Sequence, residues 1–268
     1  NLKLFRFAFM SKLTALLAFL TLLNCQHKRG NQVEVSQTEI QSEIVEVIGP
    51  VDDVKMDSSK LKLNFKPKGN YASILQQIKI DKAYFKNLYY NNPSKALDSV
   101  SEYMYSKLLN DIVPHWYGTE WDFNGYTNTP KNGEIACGYF VSTTLKHFGF
   151  NLNRFKMAQA AGLDEAKLLQ PRNAIKVFSN LTFEELIQKL NSVYKDGLYF
   201  VGLDNHVGYV LLKDEVPYFL HSSYCVDQVV IELAETSPCF SSNIYVFAEI
   251  TTNASLLKKW ILNERLNI

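Results

Sequence analysis

The order of its elements predicts an α+β fold for this chain, with N-terminal helices packed on a mostly antiparallel, five-stranded sheet. Two observations carry the prediction. Apolar residues recur at helical spacing as far as Val193. From Leu198 the pattern changes to short runs rich in aromatic and β-branched residues, separated by polar turns. Helices first and strands afterwards is the α+β order. A chain of 268 residues that is 47% hydrophobic has enough apolar material for one sizeable core, and no internal repeat interrupts it.

The chain opens on Asn1, and its first methionine is Met10, so a fragment or a start assigned too far upstream is expected. From Met10 it reads like a secretory leader, with basic Lys12 and an apolar run from Leu13 to Leu23. That run is too short to span a bilayer comfortably. Leu22-Leu23-Asn24-Cys25 resembles a bacterial lipobox, although Asn24 stands where Gly or Ala is usual. Residues 1–25 are therefore expected to be a signal peptide, with Cys25 lipidated and anchoring the protein to a membrane. The alternatives are an ordinary cleaved signal or an uncleaved anchor. Residues 26–65, polar and with Pro50 in their midst, read as a flexible tether with a possible short strand at 43–48. Residues 66–268 form the folded domain.

Tyr71–Ile80 and Ser94–Ile112 have helical patterns, and Pro114 is expected to stop the second. The stretch His115 to Gly125 carries four aromatics among glycines. It makes a poor helix, and serves either as an aromatic wall beside a cleft or as loop anchors in the core. Phe155–Leu169 is helical, with Gly162 as its weak point. Thr182-Phe183-Glu184-Glu185 is a capping box, and the helix it opens is expected to run to Gly197. Strands follow at 198–203, 207–212, 217–222, 226–233 and 244–250, with a short helix at Leu256–Leu262.

The centre of the chain is Gly133–Gly149. A loop ends at Cys137, and Phe140, Val141, Thr144, Leu145 and Phe148 follow at helical spacing, closed by Gly149. Cys137 thus sits at a helix N-terminus, where backbone N–H groups favour a thiolate. Ala136 and Gly138 flank it with almost no bulk, which leaves the sulfur approachable. The plainer reading is a small buried apolar residue.

Histidines decide between the two readings. His27 lies in the tether, His115 in the loop, and His147 nearly three turns along the helix from Cys137. A hairpin turn centred on Lys213-Asp214 would set His206 and His221 directly opposite one another, with Cβ atoms ~5 Å apart; a one-residue shift would make them diagonal neighbours or separate their faces. A cysteine nucleophile needs a base, and the base needs a third group to fix its ring. Cys137, His206 and His221 fill those roles in that order.

Other chemistries find little support. The 28 basic and 27 acidic residues leave no surplus for nucleic acid. No CxxC or HExxH spacing suggests a metal, and no cofactor is expected. Four cysteines are too few for a disulfide scaffold. If the chain is exported, Cys225 and Cys239 can pair, a bridge worth ~3 kcal/mol.

The order of motifs resembles the NlpC-type bacterial cell-wall cysteine peptidases. The residues concerned are Glu120-Trp121-Asp122-Phe123-Asn124-Gly125, then Cys137, then His206-Val207-Gly208, then His221-Ser222-Ser223, within roughly 95–250. His-Val-Gly followed by His-Ser-Ser is the specific part. This chain departs in having Ala136-Cys137-Gly138 where Asp-Cys-Ser is usual, and in a long insertion between the cysteine helix and the sheet. The resemblance implies a papain-like fold, and puts Trp121 where the family carries a tyrosine lining the oxyanion site. It also implies peptidoglycan stem peptides as substrate and a place in the bacterial cell envelope. The expected protein is a monomeric, lipid-anchored thiol hydrolase. Alternatives are an amidase or other acyl hydrolase of the same fold, and a catalytically silent envelope lipoprotein that binds peptide or glycan.

Overall fold

The computed structural model describes residues 63–267. The expected leader, Cys25, the short strand at 43–48 and nearly all of the tether lie outside the described residues. None of the described helices is long and apolar enough to cross a membrane.

Helix α1 (Tyr71–Asn91) is capped by Asn70, whose side chain accepts from the Ser73 N–H. Helix α2 (Pro93–Lys107) begins on the Asn92 cap with proline in its first turn. Pro114 does not end the helical path as expected. A π-helical turn, Leu108–Ile112, leads into a short helix α3 (Val113–Trp116). The wider turn makes room for the proline ring. The carbonyl of Asn110, which Pro114 cannot serve, accepts instead from Asn64 Nδ2 at 3.0 Å. His115 and Trp116 are thus helical.

Helix α4 (Cys137–His147) is followed by strand β1 (Asn151–Leu152). Gly162 lies at a real break, since two helices stand where one was expected, α5 (Arg154–Ala158) and α6 (Gly162–Leu169). Strand β2 (Lys176–Ser179) was not foreseen; it is short and mostly exposed. The Thr182–Glu185 capping box is complete and opens α7 (Phe183–Val193), which ends before Gly197.

The remaining strands are β3 (Gly197–Gly202), β4 (Val207–Lys213), β5 (Val216–Ser223), β6 (Gln228–Leu233) and β7 (Ile244–Glu249). Helix α8 (Ala254–Leu262) and strand β8 (Arg265–Leu266) complete the domain. The main sheet has six strands rather than five, in the order β2-β7-β3-β4-β5-β6, and every neighbouring pair is antiparallel. The extra strand adds to the β7 edge. A separate parallel pair joins β1 and β8.

The sheet is buried on both faces. Leu198, Phe200, Tyr209, Leu211 and Leu220 pack with α1, α2, α4 and α8 in the larger core. The alternate residues Tyr199, Val201, Val210, Leu212 and Phe219 pack under α7 and the segment around Phe240. That second layer turns an exposed sheet face into an interior, and the histidines lie on its side.

Three bonds fix the cysteine helix and its approach against the sheet. Tyr209 on β4 donates to the Val141 carbonyl at 3.0 Å and shares a 2.8 Å bond with Thr144. Ser222 on β5 donates to the Ile135 carbonyl at 2.6 Å, just ahead of Cys137.

Candidate active site

Cys137 is the first residue of α4, and Ala136 is its N-cap. Its own N–H therefore has no intrahelical acceptor. The small residue after it has a structural cause rather than substrate access alone. A Cβ on Gly138 would lie 2.5 Å from the Ala158 carbonyl oxygen, because α5 packs its backbone directly on the start of α4.

The hairpin register differs from expectation. Tyr209 pairs with Leu220 and Lys213 with Val216, so the turn is centred on Asp214-Glu215. Both turn residues adopt positive φ, 50° and 66°, as a two-residue mirror-image turn demands. Neither is Asn or Gly, so the sequence hides the turn. The shift places Gly208, not His206, opposite His221. The two histidines are diagonal neighbours on one face.

They still meet. His206 Nε2 and His221 Nδ1 are 2.7 Å apart, and both rings are buried. Gly208 makes this contact possible, since a Cβ there would stand 2.9 Å from His221 Cβ and 2.7 Å from the Phe219 ring. Phe219 stacks on His221 with ring centroids 3.9 Å apart, and Tyr224 meets His206 edge-on at 5.1 Å.

Glu232 completes the line. Its Oε1 lies 3.0 Å from His221 Nε2 and accepts from Ser237 Oγ at 2.5 Å. Burial pushes its carboxyl up, but hydrogen bonds from His221 and Ser237 bring it net below the ordinary carboxylate range. An ionised Glu232 only accepts, so His221 carries its proton on Nε2. His221 Nδ1 is then bare and accepts from His206 Nε2–H. That leaves His206 Nδ1 as the basic nitrogen, and it is buried without a hydrogen-bond partner. Sequence reasoning missed Glu232 and Ser237. The available signal was parity: Glu232 pairs with Phe219, which places its carboxylate on the histidine face.

Cys137 and His206 line one cleft of about 840 Å³, with Trp121, Tyr139 and Tyr224 as its aromatic walls. The Val207 N–H, next in the chain to His206, and the Gly138 N–H act to lower the Cys137 thiol. The expected thiolate does not prevail. Burial pushes the thiol up and outweighs those N–H groups, and the nearby Glu165 carboxyl adds to the rise. Burial, with the neighbouring His221, also holds His206 down to about 3. At rest the pair is a thiol beside a neutral imidazole.

The aromatic stretch serves both expected roles. Trp116 is wholly buried in the core, and its indole donates to Tyr71. Trp121 and Phe123 wall the cleft. The Trp121 backbone is held by the Asp227 carbonyl and its ring rests near Tyr224. His147 is engaged at the far end of α4, between Tyr71 and Asn128.

Cys225 and Cys239 form a disulfide. His206, His221 and Cys239 are the one group of three potential metal ligands among the described residues. With the Cys239 sulfur bonded to Cys225 and both His221 nitrogens engaged, they do not present three open donors.

No family model, no curated protein and no solved structure matches this chain.

Proposed function

We propose that this chain is a papain-like thiol hydrolase of the NlpC type, acting on peptide bonds in peptidoglycan stem peptides. The observation that carries the reading is the unpartnered Nδ1 of His206, in the cleft shared with Cys137, while its Nε2 is tied to His221. A structural histidine pair would have no reason to leave that nitrogen buried and bare.

The chemistry follows from the line of protons. His206 Nδ1 takes the Cys137 proton as the sulfur attacks the carbonyl carbon. The Cys137 N–H at the helix start would receive the oxyanion, with Trp121, which lines the same cleft, in the role that the family resemblance gives it. His206 gives its proton to the leaving amine, and an acyl-enzyme remains. Water, deprotonated by the same nitrogen, then releases the acid and restores the thiol. Glu232 and His221 hold the imidazole in the required tautomer throughout.

The cell-wall substrate rests on the resemblance of Cys137, His206-Val207-Gly208 and His221-Ser222-Ser223 to that family. The leader ending at Cys25 supports a site beside the polymer, with the domain tethered to the membrane. The decisive experiment is digestion of purified peptidoglycan with products weighed by mass spectrometry. Fragments cut within the stem support the reading. Release of whole stems from glycan would make the protein an amidase. No product from any peptide or amide substrate would leave a silent binder.

A further inference from the structure

A second cleft, of about 890 Å³, opens at the other end of α4. It is separate from the site at Cys137, since α4 spans roughly 15 Å between them. Its accessible apolar part comes from Leu75, Ala83 and the lysine stems, over a floor formed by the buried Ile78, Phe150 and Ile261. Lys79, Lys82 and Lys86 stand along one side of α1, at helical spacing, and Lys146 faces them from α4. None of these four ammonium groups pairs with a carboxylate among the described residues. The acid on the same helix, Asp81, is engaged elsewhere by Tyr103 and Gln77. Arg154 also borders the cleft, but its guanidinium is bound to the Tyr126 carbonyl and Thr143.

The neutral polar groups present the same sign. Burial and the cations Arg154 and Lys146 lower His147 to about 4, so it is uncharged near neutrality. It accepts from the Tyr71 hydroxyl on Nδ1 and donates from Nε2 to Asn128 Oδ1. Asn263 Oδ1 and the Gly149 carbonyl both accept from Lys82, at 2.9 and 2.7 Å. These acceptors are consumed within the protein. What remains for a ligand is the amide N–H groups of Asn128 and Asn263 and the lysine ammonium groups, all donors.

We propose that this cleft binds a phosphorylated amphiphile, with its phosphate among Lys79, Lys86 and Lys146 and its apolar body along Leu75, Ala83 and the lysine stems. A cluster of donors without acceptors selects an anion. The apolar floor and the volume exceed what a bare phosphate uses, and drug-sized ligands fill cavities of this size. Burial and the neighbouring Lys86 hold the Lys82 ammonium down to about 8, a strain that an anion relieves.

The test is calorimetry on the full chain with short-chain phosphatidic acid, phosphatidylcholine of the same chain length, and inorganic pyrophosphate. The first should bind, and the zwitterionic lipid should bind at least about tenfold more weakly. The K79Q/K86Q/K146Q variant should lose at least about tenfold in affinity for the phosphatidic acid. All three lysines are exposed, so its thermal midpoint should match the unaltered protein; Lys82 is kept because it holds Gly149 and Asn263. No binding of the phosphatidic acid, or binding that the triple variant retains, overturns the site. Pyrophosphate bound as tightly as the lipid overturns the apolar half of the proposal.

Discussion

His206 Nε2 and His221 Nδ1 share a buried hydrogen bond of 2.7 Å, and Glu232 on the far side of His221 gives it a direction. Because the carboxylate can only accept, the protons are assigned along the whole line. His206 is left with Nδ1 bare, and the residue lines the cleft that holds Cys137. If the trio is catalytic, Cys137→Ala abolishes hydrolysis without unfolding, since one sulfur leaves a helix start. His206→Ala should cost about 10³–10⁴-fold in kcat. His221→Asn should keep more activity than His221→Ala, because the Asn oxygen can accept from His206 Nε2–H as Nδ1 does. His147→Ala should hydrolyse substrate at nearly the normal rate. Steady-state assays on the five variants check the order. An essential His147 with a dispensable His206 would sink the assignment.

On the proposed reading Glu232 positions His221, and its removal should show as lost tautomer control rather than lost binding. Glu232→Leu should lower kcat by about 10–100-fold, by analogy with losses seen when outer partners of a functional histidine are removed. KM should stay near its original value. Glu232→Gln should recover part of the loss, because its amide oxygen can still accept from His221. Ser237→Ala, which removes one donor to that carboxylate, should be milder than either. Equal losses in Gln and Leu, or a change confined to KM, would show that Glu232 only packs.

The sequence made the helix starting at Cys137, the capping box at Thr182 and the strand positions legible, because each has a strong periodic or capping signature. It did not reveal β2, which is short and exposed and lacks the apolar run of a buried strand. The hairpin register slipped by one turn position because Asp214-Glu215 carries none of the Asn-Gly chemistry that marks such turns. The histidines meet anyway, since long rings reach diagonal neighbours and Gly208 leaves the space. Glu232 is not legible because its place on the histidine face depends on the β5–β6 register. Two features set the state of Cys137, its helix start and the burial that keeps its thiol protonated. Sequence shows the first and only the packed structure shows the second.

Acid should destabilise the protein through its depressed histidines. His147 titrates at about 4 in the folded protein against an ordinary 6.5. Between those values the unfolded chain binds more protons, so stability rises with pH. The contribution is complete above pH 6.5 and is lost as pH falls toward 4, a loss of about 3 kcal/mol for this residue. His206, held down to about 3, acts in the same direction over a wider window. Glu165 opposes them. Burial raises its carboxyl well above the ordinary value, so its contribution falls as pH rises from about 4.3. The clean comparison is therefore a difference. Urea melts of His147→Gln and the unaltered protein at pH 7 and pH 4.5 should show the smaller acid loss in the variant. Parallel losses would mean that His147 is not held neutral by burial.

The reactivity of Cys137 should separate a resting thiol from a preformed ion pair. A thiolate–imidazolium pair would alkylate quickly at neutral pH, with a midpoint well below that of a free thiol, about 8.5. Here burial holds the sulfur protonated and His206 neutral, so the midpoint for iodoacetamide should lie above that value. Peptide mapping by mass spectrometry follows this cysteine apart from the others. His206→Ala should barely move the alkylation midpoint, because a neutral imidazole gives the thiolate no charge to lean on. If the trio is catalytic, the same variant should nearly abolish hydrolysis, because there the imidazole must accept the proton as the sulfur attacks. Glu165→Gln should lower the midpoint, since the nearby carboxyl raises the thiol when it ionises. A midpoint below pH 7 that His206→Ala raises would instead establish the ion pair, and the buried neutral pair would have to be given up.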